Sequence, residues 1–225
     1  MKVLIVGASG LIGSAALSQC LSHSKVTQVI AFVRRDLPAE LTKNPKLQCI
    51  IHKDFSWWPE DLLRSHADAA GMIWAMGTYK GDEKADYEYP LAFMSSMSRA
   101  LSSQSPRPVF RYVQLSGKFV RQDQEKRLWF LEEPRKLKGR LETEALAFQK
   151  QNPAIWRTLV VKPGGVVPFV PSLFATIMGE NWCVRNEELG AFMTHLVVDG
   201  DEEDDVIENA RIVRKGREVL KGEGR

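Results

Sequence analysis

A short apolar run that stops abruptly at a glycine constrains this chain more than any other feature. Val3-Leu4-Ile5-Val6 leads straight into Gly7-Ala8-Ser9-Gly10-Leu11-Ile12-Gly13, and Leu11–Leu21 then carries apolar residues at helical spacing. A wholly apolar run of this length suits a parallel strand covered on both faces. Glycines three apart mean little alone, but between a strand and a helix they form a cradle for phosphate. Gly7 permits the tight turn, Gly10 lets the backbone approach a pyrophosphate, and Gly13 lets the helix sit close. The N–H groups of the Ser9, Leu11 and Ile12 stretch and the helix dipole then face the anion.

Alternation continues along the chain. Strands are expected at Val3–Val6, Val29–Val33, Leu47–Ile51, Met72–Ala75, Val109–Leu115 and Leu159–Val161. Helices are expected at Leu11–Leu21, Pro59–Arg64, Leu91–Leu101, Pro134–Lys150, Glu187–Val198 and Ala210–Leu220. This order predicts an α/β protein: a Rossmann-type doubly wound parallel sheet with right-handed crossovers. The 225 residues fit one domain, 1–225, in which 166–225 forms a substrate-side segment and a small C-terminal helical extension. Pro163, Gly164, Gly165, Pro168 and Pro171 predict irregular backbone. The acidic run Asp199–Asp205 reads as a solvated turn. Arg211, Arg214, Lys215 and Arg217 read as cations suited to a helix C-terminal half.

The net charge is only +3, with both signs interspersed, so no nucleic-acid partner is expected. Cys20, Cys49 and Cys183 lie far apart, as do His23, His52, His66 and His195. Neither a disulfide framework nor a metal site is predicted. No signal peptide or membrane span is read in the sequence, which makes the cytosol the expected compartment. Oligomeric state is left open.

Ligands of such sheets lie at the carboxyl ends of the strands. The end of the second expected strand carries Arg34-Arg35-Asp36, where an acid would bind the ribose hydroxyls of NAD. Guanidinium groups suit a 2′-phosphate, so NADP(H) is the expected cofactor; the other reading leaves Arg34 and Arg35 as solvated surface. Asp54-Phe55 falls where adenine would be edged, and Ala75-Met76-Gly77 beside the adenosine ribose.

Together, Gly7-x-x-Gly10-x-x-Gly13, Arg34-Arg35-x-Leu37, Gly77-Thr78, Leu115-Ser116-x-Lys118, Lys138-Gly139 and Pro163-Gly164 resemble the atypical short-chain dehydrogenases around the Tat-interacting protein family and its fungal mitochondrial-associated relatives. The resemblance implies an NADPH-binding fold, reductase activity on a small-molecule substrate, and room for peripheral mitochondrial association. It places Pro163, Gly164 and Lys138 at the cofactor. It matches Ser116 to the serine and Lys138 to the lysine of that group's acid–base machinery. The tyrosine expected four residues before Lys138 is Pro134, and no tyrosine follows Tyr112. Tyr79 and Lys118 are the candidate substitutes. Trp57, Trp58, Trp129, Phe130 and Trp182 read as packing or pocket lining. Three functions stay open: a reductase of a small carbonyl or enone with another proton donor, a non-redox isomerase or cyclase, and an inactive NADP(H)-binding regulatory module.

Overall fold

The computed structural model describes residues 1–103, 108–168 and 180–222. The apolar run becomes β1 (Lys2–Val6), flanked in parallel by β2 (Gln28–Val33) and β4 (Gly71–Trp74). With β3 (Leu47–Ile51), β5 (Phe110–Leu115), β6 (Trp156–Lys162) and β9 (Val206–Glu208), they form a seven-stranded sheet ordered β3-β2-β1-β4-β5-β6-β9. Every pairing in it is parallel. The strand order reverses between β1 and β4, the place where ligands of such sheets bind at the carboxyl ends.

Side chains alternate across the sheet, so β1 serves two cores. Val3 and Ile5 join α1 (Leu11–Ser22), α6 (Asn186–Asp199) and α7 (Asn209–Gly222) on one face. Leu4 and Val6 join α3 (Glu60–Arg64), α4 (Tyr89–Ser102) and α5 (Glu132–Gln151) on the other. This second core is aromatic: Phe32, Phe55, Trp58, Trp74, Phe93, Phe110, Tyr112 and Trp156 are all buried. Burying one such ring stabilises the fold by about 1.5–3 kcal/mol. The C-terminal helices belong to the first core rather than standing apart from it.

Several details differ from the sequence expectation, among them β9, which was not expected. A short helix α2 (Ala39–Thr42) and a two-stranded parallel ribbon of β7 (Gly165–Val167) and β8 (Cys183–Arg185) appear where loops were expected. The acidic run is not a free solvated turn. Glu203 is buried and accepts from Arg211 Nε at 2.9 Å and Nη2 at 2.6 Å, while Asp201 Oδ1 accepts from Arg111 Nε at 3.1 Å. Asp205 O accepts from Val160 N at 2.7 Å and leads the chain into β9. Arg211 and Arg217 are likewise ion-paired rather than merely solvated. Of the expected irregular segment, Pro171 lies outside the described residues.

Candidate functional site

The glycine loop links the carboxyl end of β1 to α1 and lies against the backbone just after β4. Gly7 has φ +86°, and a Cβ there would lie 2.7 Å from the Ala75 carbonyl carbon, so only glycine fits. A Cβ on Gly13 would sit 2.0 Å from Gly7 O, which packs α1 onto the turn itself. Gly10 is exposed, and a Cβ there would meet only Gly7 O at 3.4 Å. Gly10 is the N-cap of α1 without a side-chain cap, and no acid stands in the first turn. The N–H groups of Leu11, Ile12 and Gly13 therefore begin a helix whose positive end is left for an anion. Ser9 and Leu11 are exposed beside it, and Ile12 is half-buried. These features fit a pyrophosphate.

Around this loop the other strand ends contribute unequally. Arg34 and Arg35 are exposed and have no ion-pair partner among the described residues. Asp54 is exposed and accepts from Ser56 N at 2.9 Å and Oγ at 2.6 Å, which holds its carboxyl below the usual carboxylate value. Phe55 instead turns inward, its ring 6.4 Å from Trp74 and 5.6 Å from Trp58, so its side chain belongs to the core. Ala75 and Met76 are half-buried and Gly77 is exposed.

Lys138 is not part of a merely solvated basic face. Its Nζ lies 2.9 Å from Asp86 Oδ1, and the Asp86 side chain is fully buried. Asp86 sits in a π-helical segment, Lys84–Glu88, and also accepts from Thr78 N at 2.8 Å, Thr78 Oγ1 at 2.5 Å and Asp82 N at 2.9 Å. Burial would raise this carboxyl, but Lys138 and the Thr78 donors outweigh it and hold it below its ordinary value. Gly77 abuts the pair: a Cβ there would lie 2.9 Å from Asp86 Oδ1 and 3.0 Å from Lys138 Nζ. The lysine is thus aimed and anchored just beyond the carboxyl end of β4.

Ser116, at the end of β5, belongs to a second cluster. Its Oγ donates to Glu142 Oε1 at 2.5 Å. Glu142 is buried and takes Lys162 Nζ at 2.9 Å on each oxygen, with Gln122 Nε2 at 3.1 Å from Oε2. Lys162 is itself buried at the end of β6 and also donates to Val120 O at 3.3 Å. Met76, Asp86, Ser116, Lys138 and Glu142 all line one small cavity.

Other candidates stand apart. Lys118 Nζ lies over the Trp182 ring, 5.3 Å from its centroid. Tyr79 is 86% exposed, with no hydrogen-bond or ring partner among the described residues. Pro163 O accepts from Lys118 N at 2.8 Å, and Gly164 N donates to Asn209 Oδ1 at 2.7 Å, tying this loop to α7. Trp58 is core, whereas Trp129 is 97% exposed rather than packed. Among the described residues no group of His, Cys, Asp and Glu is arranged to hold a metal ion. Nor is any helix there long and apolar enough to cross a membrane.

Similar architectures occur among solved structures. Gre2 from Candida albicans, determined in complex with NADPH, superposes with a TM-score of 0.64 at 15% identity, covering 93% of this chain and 78% of that one. A short-chain dehydrogenase/reductase of Saccharomyces cerevisiae gives 0.61 at 13% identity, over 90% and 92%. The chain has the short-chain dehydrogenase/reductase fold. No family model matches this chain. In sequence it resembles the mitochondrial protein FMP52 of Meyerozyma guilliermondii, with 33% identity over 137 residues, 52% of this chain and 56% of that protein. The chain spans 41% and 56% of the lengths of two such FMP52 proteins, about half.

The structure brings Ser116 and Lys138, both singled out in the sequence, into one cavity with Asp86 and Glu142, which sequence reasoning missed together with Lys162. Glu142 was within reach, because it follows Lys138 by one helical turn and shares its face. Lys162 ends a strand beside Pro163. For Asp86 there was no local signal.

Proposed function

We propose that this chain is an NADP(H)-dependent oxidoreductase acting on a small carbonyl or enone and the corresponding alcohol, with an acid–base group other than tyrosine. The single observation that carries the reading is Lys138: an ammonium held by a fully buried carboxylate, beside Gly77 and in the same cavity as Ser116. A structural ion pair has no need to line a cavity at the strand ends, whereas a cofactor ribose and a substrate oxygen both do.

The nicotinamide, when bound, supplies or removes a hydride. The protein's own residues do the rest. The α1 N-terminus takes the pyrophosphate, Arg34 and Arg35 take the 2′-phosphate, and Lys138 donates to the nicotinamide ribose. Ser116 meets the reacting oxygen. Titration of the protein with NADPH, followed by fluorescence, tests the cofactor assignment; failure to bind NADPH and NADP would overturn it.

A second reading is favoured by Pro134, which is buried and has no proton to give. In that reading the chain binds NADP(H) and regulates a partner without turnover. The two part on a panel of aldehydes, ketones and alcohols: measurable exchange between NADPH and NADP supports the enzyme, and none at all supports the regulator.

A further inference from the structure

The Ser116, Glu142 and Lys162 cluster is not explained by packing. A buried ion pair is seldom more stabilising than well-fitted apolar residues in the same volume. Here Ser116 and Glu142 both line the cavity, and Lys162 backs the carboxylate. All four hydrogen bonds to Glu142 run toward it: Lys162 donates to both oxygens, Gln122 to Oε2 and Ser116 to Oε1. Every hydrogen bond at Glu142 is thus donated to it by the protein, and the proton of Ser116 is directed at it. What Ser116 offers the cavity is its oxygen lone pairs.

A hydroxyl in that state accepts a hydrogen bond; it does not donate one to a carbonyl. We propose that Ser116 and Glu142 form the proton-carrying pair of this site, and that the oxygen they are built to receive is an alcohol's hydroxyl. The inference rests on the oxidoreductase reading above. In the oxidation direction the substrate O–H bond breaks as a new O–H bond forms on Ser116, while the original Ser116 proton passes to Glu142. The carbinol carbon becomes a carbonyl, and its hydride leaves to the nicotinamide dinucleotide, the oxidant. Glu142 ends as a neutral carboxylic acid, leaving Lys162 bonded to it and to Val120 O. Reduction runs the same path backwards. Ser116 touches the substrate, and Glu142 acts through it.

The test is a binding preference, independent of turnover. The protein is saturated with the redox-inert tetrahydro analogue of NADPH. Affinities for cyclohexanol against cyclohexanone, and for 1-phenylethanol against acetophenone, are then measured by ligand-observed NMR. One correctly polarised hydrogen bond predicts that each alcohol binds about fivefold more tightly than its ketone. Ser116→Ala should abolish the difference. Glu142→Gln should invert it, because an amide N–H directed at Ser116 frees the hydroxyl proton to donate to a carbonyl. A purely structural cluster would not produce an inversion. Should Glu142→Gln fail to fold, the wild type and Ser116→Ala still decide. Equal affinities, a ketone preference in the wild type, or no binding of either pair by the analogue-saturated protein would each overturn the proposal. Failure of the analogue itself to bind would instead remove the oxidoreductase reading.

Discussion

Gly81 lies directly against Pro134. The glycine has φ +81°, and a Cβ built on it would sit 3.1 Å from Pro134 Cα and 3.3 Å from its Cβ and Cγ. Pro134 is the third residue of α5, within the first turn whose N–H groups lack intrahelical partners, so proline costs the helix nothing there. The loop carrying Tyr79 thus lies against Pro134, four residues before Lys138. Pro134→Tyr is expected to lose stability by about 1–3 kcal/mol through overpacking. It should not raise the rate of ketone reduction. Thermal melts and NADPH oxidation assays check both, and a wild-type melt with newly gained activity would contradict the prediction.

Simple ketones and aldehydes should be poor substrates for the wild type. A positioned acid ordinarily contributes about a hundred- to ten-thousandfold in rate. Tyr79 is too exposed to serve, and Ser116 holds its proton toward Glu142. NADPH should bind well yet be oxidised slowly, though measurably, across such a panel. Fast turnover that vanished in Tyr79→Phe would show that the loop carries the acid.

NADP should bind at least about tenfold more tightly than NAD, since one charge-assisted hydrogen bond contributes about 1.5–3 kcal/mol. The Arg34→Ala, Arg35→Ala double variant should lose the preference, and salt should weaken it in the wild type. Calorimetry giving equal affinities for the two nucleotides would refute the assignment.

Gly10→Val and Gly13→Ala should separate binding from folding. Space around Gly10 leaves the fold intact, so the valine variant should melt cooperatively but show no thermal shift with NADP(H). At Gly13 a Cβ would collide with Gly7 O. The alanine variant should therefore lose both stability and binding.

Stability should fall on the acid side of neutrality. His52, His66 and His195 are each held below their ordinary value, chiefly by burial. The unfolded chain then takes up protons first, so stability is complete above about pH 6.5 and declines as pH drops from there toward the folded-state values. Asp86 and Glu203, both depressed, add a further loss as pH falls below the usual carboxylate range and through their lower folded values. Urea midpoints at pH 5.5 should lie below those at pH 7.5. His52→Phe should shrink the drop, because its ring stacks on Trp58 with centroids 4.3 Å apart and phenylalanine keeps that packing.

Most of the sheet and the glycine turn are legible in the local sequence. The unbroken apolar run of β1, the helical spacing after Gly10 and the glycine triplet are enforced by sterics and side-chain periodicity within a few residues. The polar clusters come from contacts between distant segments. Asp86 meets Lys138, Glu142 meets Lys162 and Ser116, and Gly81 meets Pro134 across separations that no local pattern records. The strand β9 escaped notice for a similar reason: Val206–Glu208 is too short to show a period and forms because β6 offers it an open edge. Buried charges find one another through the packing of whole elements, and their partners become legible only when those elements are in place.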